Sequence, residues 1–215
     1  MNIQKSLGQT VFDFVGGHAA VDFVNTEIKH QGERVDLIPD FIHFVAWLEQ
    51  KNLVNKDVNN AVNQDGVYSL VEKWYQNSES EAFVAHVHQL RRNLRIAFEQ
   101  IHEKQTIETE TLETLNEQFR LYPGFYQLGV ETEGVYQQFM QSGTMPSHLL
   151  MPLIKEIADF LSEANFALIK HCGNAQCIRY FYDTTRNRSR RWCSMETCGN
   201  RMKVAAYYKR KRKSS

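Results

Sequence analysis

Residues 172–201 read CGNAQCIRYFYDTTRNRSRRWCSMETCGNR, and all four cysteines of the 215-residue chain lie in them. Cys172 and Cys177 form one pair, Cys193 and Cys198 a second; each pair encloses four residues, and fifteen separate the pairs. Two ligands close in sequence make a knuckle whose loop turns backbone N–H groups toward the sulfurs. Gly173-Asn174 follows Cys172 and Gly199-Asn200 follows Cys198; both dipeptides tolerate the positive φ that tight turns need. Four thiolates suit one tetrahedral zinc, and four leave no open position for catalysis. An iron–sulfur cluster takes the same ligands, and disulfides are the reading for an oxidising compartment. A redox pair has closer spacing, with two residues between its cysteines.

The N-terminus, MNIQKSLGQTVFDFVGG, has no long apolar segment and no small-residue cleavage site, so no signal peptide is expected. Mean hydropathy is −0.48, and no apolar run approaches the roughly 18 residues of a membrane span. The expected setting is a reducing cytoplasm, without membrane contact. There, clustered cysteines favour metal.

A formal net charge of zero hides a division. Residues 170–215 carry thirteen Lys/Arg against two acids, a net of +11, and residues 1–169 carry the balancing −11. A basic segment of this density points to a polyanion. The alternative is that the two parts pair with each other.

Working outward, Ile178 to Tyr182 alternates and is aromatic, which predicts a strand. Residues 183–187 supply a turn, and Arg190-Arg191-Trp192 is expected to return as the second strand. NRMKVAAYYKRKRK after Cys198 has good helix formers and no proline. Knuckle, hairpin and a knuckle opening a helix make a treble-clef-like finger. A segment of about 45 residues is too small to be stable unaided, and zinc, worth on the order of 10–16 kcal/mol in finger peptides, supplies what is missing.

The larger N-terminal part reads as mainly helical, with one small β-hairpin, so the fold class is α+β. A short arm at Val11 to Val15 precedes a helix over residues 18–28, with Ala20, Phe23, Val24 and Ile28 inward. Asp22, Asn25 and Thr26 share another face of that helix. They are candidates for a ligand pocket, or for satisfying nearby backbone groups. Gly32 begins a loop, and Pro39 opens a helix apolar on more than one side. Further helices are expected at 57–77, at 80–104 with Phe83, Val87, Leu90, Leu94, Ala97 and Ile101 inward, and after Thr109. Residues 125–140 predict two strands about Glu133-Gly134. Pro146 opens a last helix, interrupted at 162–165.

The 172–201 segment resembles the CGNR zinc finger, named for the string that stands here as Cys198, Gly199, Asn200 and Arg201. Residues 188–195, RSRRWCSM, and 181–183, FYD, are similar to that family's pattern. The N-terminal part is similar to the ABATE domain usually found with this finger and described as a stress-induced transcription regulator. That likeness rests on DFVNT at 22–26 and VDL at 35–37 with Pro39 after it. The resemblance implies an ABATE-like domain over 1–168 and a finger over 169–213. It places one structural zinc on Cys172, Cys177, Cys193 and Cys198, and it implies a DNA-binding regulator. The tail KRKRKSS is more basic than the family pattern requires.

Lys and Arg neutralise phosphate, and arginine also reads guanine edges. The expected nucleic-acid contacts are Arg186, Arg188, Arg190, Arg191, Arg201 and Lys203. Trp192 and Phe181 read as core rather than as stacking platforms. Arg91 and Arg95 stand at i, i+4 and are expected to partner acids, or else an anionic ligand; His86 and His88 do not face each other. No P-loop, dinucleotide fingerprint or G-x-S-x-G is present. Three functions follow: a DNA-binding transcription regulator with a ligand-sensing or dimerising N-terminal domain, a zinc-stabilised RNA-binding or protein adaptor, and an enzyme using a pocket at Asp22, Asn25 and Thr26. A small-molecule effector and a homodimer belong to the first.

Overall fold

A computed structural model describes residues 12–53, 79–131, 134–141 and 145–213. The predicted helix at 57–77 lies outside them. After an extended arm come α1 (Ala19–Val24), β1 (Glu27–His30), β2 (Glu33–Asp36), α2 (Phe41–Gln50), α3 (Glu79–Lys104), α4 (Thr109–Arg120), β3 (Gly124–Glu131), β4 (Gly134–Gln141) and α5 (Met145–Glu163). A 3-10 turn, Phe166–Leu168, then leads to β5 (Ile169–His171), β6 (Tyr180–Tyr182), a π-helical turn (Met195–Gly199) and α6 (Asn200–Lys213). Among the described residues three separate antiparallel hairpins pair β1 with β2, β3 with β4 and β5 with β6.

The core forms around α3. Val87, Leu90, Leu94, Ala97, Phe98 and Ile101 recur at helical spacing and are buried, one stripe facing α1, α2 and α5. Each such side chain contributes about 1.5–3 kcal/mol. In α2 seven of ten residues are buried, so it is apolar on more than one side, as its composition predicts. Asp40 caps it, its carboxylate accepting from the His43 N–H at 3.0 Å, and Pro39 stands just outside the cap.

Two expectations change. The helix predicted over 18–28 stops at Val24, because Glu27 to His30 pair with Glu33 to Asp36. Gln31 and Gly32 both take positive φ, 51° and 94°, the geometry of a two-residue hairpin turn. In the finger, Tyr180–Tyr182 pairs with Ile169–His171 and not with residues 190–192. The first knuckle therefore occupies the turn of the hairpin. The Arg190 N–H donates to the Asp183 carboxylate at 2.9 Å, which takes it out of a strand ladder.

Strand alternation divides β5 and β6 between two cores. Ile169 and Tyr180 join the main core, with Tyr182 packed against it; Tyr180 meets Phe98 and Tyr182 meets Phe160, both edge to face, at 5.6 and 5.3 Å between ring centres. Phe181, wholly buried, joins Cys172, Cys193 and Cys198 in a second cluster.

Polar bonds lock the two parts together. The Asn25 amide donates to the Tyr180 carbonyl at 2.8 Å and accepts from the Tyr180 N–H at 2.9 Å. Arg95 donates to the carbonyls of Ile178 (2.9 Å) and Val24 (2.7 Å). The arm forms a strap across the same seam. Gly16 donates to Asp22 at 2.6 Å and accepts from the Tyr182 N–H at 2.7 Å. Val15 accepts from Arg190 at 2.7 Å, and Asp13 from Arg179 at 2.6 Å. A Cβ on Gly16 would stand 2.7 Å from an Asp22 carboxylate oxygen, so only glycine lets the strap lie so close.

Asn25→Ala strips both partners from a buried backbone unit, at about 1–3 kcal/mol for each group left unpaired. Denaturant unfolding of the zinc-loaded chain should show one transition, shifted down in the variant. Two independent transitions in the parent chain would contradict a joint of this strength.

Candidate metal centre and nucleic-acid interface

The four cysteine sulfurs converge, all within 4.8 Å of one another. Cys177 to Cys193 and Cys193 to Cys198 are each 3.7 Å between sulfurs. A zinc–sulfur bond of about 2.3 Å in a tetrahedron sets sulfurs about 3.8 Å apart, so the spacing fits zinc. It is far from the roughly 2.05 Å of a disulfide, and the cysteines are free. Each knuckle supplies polar support. The Cys193 N–H donates to the Cys172 sulfur, and the buried Asn174 amide donates to the Cys198 sulfur, both at 3.4 Å. The four-cysteine set is a structural zinc site, one zinc per chain.

The π-helical turn aims the second pair. Ser194 caps it, accepting from the Thr197 N–H at 3.4 Å, and the Gly199 N–H reaches back to the Ser194 carbonyl at 2.9 Å. The wide turn brings Cys198 back beside Cys193 and launches α6 from Asn200.

Asp183 organises the loop between the knuckles. It is fully buried. It accepts from the Lys170 ammonium at 2.6 Å, from the Thr185 N–H and hydroxyl, and from the Arg190 N–H. Burial disfavours its charge, yet these donors outweigh burial and hold its pKa down at about 2, against an ordinary 3.8. A folded value below the unfolded one stabilises the fold above about pH 4, and that contribution fades as pH falls toward the folded value. Lys170 also donates to the Arg188 carbonyl at 2.6 Å, so the loop is closed at its neck.

The six expected nucleic-acid contacts divide. Arg186, Arg188, Arg191, Arg201 and Lys203 are exposed. Lys170 pairs with Asp183 and Arg179 with Asp13, whereas these five have no acidic partner among the described residues. Arg190 is different. Its guanidinium donates to the carbonyls of Trp192 (3.0 Å), Val15 (2.7 Å) and Cys193, and lies over the Phe181 ring. The geometry gives it the task of bracing the second knuckle against the strap.

Asp22, Asn25 and Thr26 do come together, each at most 3% exposed. Their polar atoms face neighbouring elements rather than a ligand pocket. Asp22 meets Gly16 and Lys51 (2.6 Å each), Asn25 meets Tyr180, and Thr26 donates to Phe23 and accepts from Arg91 at 2.9 Å. Burial pushes the Asp22 carboxyl up despite Lys51. The Arg91/Arg95 pair partners acids, Arg91 with Asp36 and Arg95 with Glu27. Sequence reasoning gave Asn174 and Asp183 turn roles alone and did not place Arg95 at the finger. One signal was available: Asp183 is one of just two acids in residues 170–215.

A helical domain joined to a four-cysteine metal module defines a zinc-finger protein. Residues 17–164 match the ABATE family, described as "Putative stress-induced transcription regulator", and residues 169–211 match the CGNR zinc finger. The chain belongs to the ABATE family and carries a CGNR finger. No curated protein matches it. Both families are of regulatory or zinc-finger type, and no helix among the described residues is long and apolar enough to cross a membrane.

Glycine separates the two knuckles. A Cβ at Gly173 would meet the Arg191 carbonyl oxygen at 2.9 Å, whereas one at Gly199 meets the Met195 sulfur at 2.5 Å. Backbone cannot yield, while the exposed Met195 side chain can. Gly173→Ala should therefore surrender zinc to a chromogenic chelator at least several-fold faster than the parent, and Gly199→Ala should stay close to it.

Proposed function

We propose that this chain is a DNA-binding transcription regulator that grips duplex DNA through α6 and the finger surface beside it. The carrying observation is α6 itself. Its fourteen residues hold seven Lys/Arg and no acid, and every described side chain from 203 to 212 is exposed. Among the described residues its main contact is with the π-turn that launches it. A helix of this length is marginal alone in water, and one without a buried face has no packing to hold it. A polyanion laid along its basic residues would supply both contact and countercharge. At 1.5 Å per residue α6 is about 21 Å long, enough to lie along a major groove, which admits a helix. Arg186, Arg188, Arg191, Arg201 and Lys203 are the proposed contacts, with Arg190 bracing them. RNA or an acidic protein is the alternative partner class.

On this reading the helical domain, residues 1–168, is the regulatory body. It senses an effector or pairs two copies, it performs no enzyme chemistry, and the protein works in the cytoplasm. Leu128, Val130 and Val135, all exposed and sharing one face of the β3–β4 hairpin, are the surface offered for pairing. Val130→Glu should turn a dimer into a monomer by light scattering; a parent chain that is already monomeric would remove the pairing.

Duplex binding should fall steeply with salt, the log–log slope reporting about 0.9 per phosphate contacted. Deleting residues 209–215 should lower both affinity and slope, and Arg201→Ala with Lys203→Ala should lower them further. Binding that is salt-insensitive, or stronger to RNA than to duplex DNA at equal salt, would overturn the reading.

A further inference from the structure

Beside the zinc centre the finger carries a cleft of about 720 Å³, walled by the 185–191 loop on one side and by Trp192 and Met195 on the other. Three features give it a chemistry. Its lining holds three arginines and no acid, so it takes an anion. Arg186 and Arg191 are exposed within it and have no acidic partner among the described residues. Thr185, Asn187 and Ser189 add neutral polar groups.

The opposite wall is apolar and flat. Trp192 is half-buried, and Met195 is 52% exposed, a large apolar side chain kept at the surface. The Trp192 ring is backed by the end of the π-helical turn, where a Cβ on Gly199 would already be 3.4 Å from it. The Arg191 guanidinium rests loosely over the ring, 5.5 Å from its centre. A planar cation already occupies the position that a planar ligand would take.

The cleft is also held open. Asp183 closes the neck of its loop, and Arg190, fixed to three carbonyls, forms its back. A preformed concavity with an apolar wall and a few convergent polar groups is the common form of a ligand site.

We infer that this cleft seats a single unstacked nucleotide, its base against Trp192 and Met195 and its phosphate between Arg186 and Arg191. The base takes the place of the Arg191 guanidinium, which swings to the phosphate. Stacking needs a base with a free face, and bases inside a duplex have both faces covered. The ligand is therefore a strand end, an overhang or a free mononucleotide. The strand form rests on the DNA-binding reading; the mononucleotide form does not.

The test uses the zinc-loaded full chain and the emission of Trp192, with Trp192→Phe subtracting the signal of Trp47 and Trp74. The probes are a blunt duplex, the same duplex with a three-nucleotide single-stranded overhang, and adenosine monophosphate. The overhang duplex should quench Trp192 and bind about tenfold more tightly than the blunt one, in line with base–aromatic stacking. Arg186→Ala with Arg191→Ala should erase that preference, with zinc content and far-UV circular dichroism showing an intact fold. If both duplexes bind alike without quenching, or the double variant keeps the preference, the cleft is not a nucleotide site and the DNA reading stands. Quenching by adenosine monophosphate with no duplex binding would keep the cleft and overturn the DNA reading. No binding by any probe would overturn both.

Discussion

One buried amide carries the union of the two parts. Asn25 meets both backbone groups of Tyr180 as a neighbouring strand would, and so substitutes for a β-ladder that α1 is unable to offer. Around it, Arg95 and the strap at Gly16 repeat the device with carbonyl and amide groups on either side of the seam. The zinc module is too small to bury an adequate core. It gains one by lending Ile169 and Tyr180 to the helical domain while keeping Phe181 for the sulfurs. Metal and joint therefore support the same short strands from opposite faces.

This arrangement changes what a signal in the helical domain would do. Asp22 is linked to Lys51 of the loop after α2 and to the strap, and the strap is linked to Arg190 behind the second knuckle. Asp22 and Arg190 are thus joined through two polar contacts, Asp22 to Gly16 and Val15 to Arg190. Backbone groups form the seam, so the side-chain identities that matter there are few: Asn25, Arg95, Arg190 and the glycine at 16.

The helices were largely legible in the chain, because apolar residues recur at 3.6-residue spacing in α3 and α5. The zinc ligands were legible too, because four soft donors in two tight pairs have few other uses in a reducing setting. The β1–β2 hairpin was not. Its turn is Gln31-Gly32, and a glutamine at positive φ is an uncommon turn signal. The partner of β6 was also missed: Arg190 to Trp192 alternate as a strand should, yet buried Asp183 claims the Arg190 N–H, and spacing alone does not reveal a buried acid. DFVNT at 22–26 illustrates a broader difficulty. Polar residues on one helix face suggest a pocket when read in sequence, whereas Asp22 and Thr26 meet groups between 3 and 65 residues away and Asn25 meets the backbone of Tyr180, 155 residues away.

That distance orders events during synthesis. The strap is made well before its partners Tyr182 and Arg190, with 175 positions separating Val15 from Arg190. At about 5–20 residues per second, the strap waits on the order of ten to thirty seconds for something to hold. Closing so large a loop is entropically slow. The helical domain can collapse in that interval, but its seam stays open until the last cysteine has emerged and metal has joined the two knuckles. Zinc supply then governs how long a newborn chain exposes that seam, and with it the chance of pairing with the wrong neighbour.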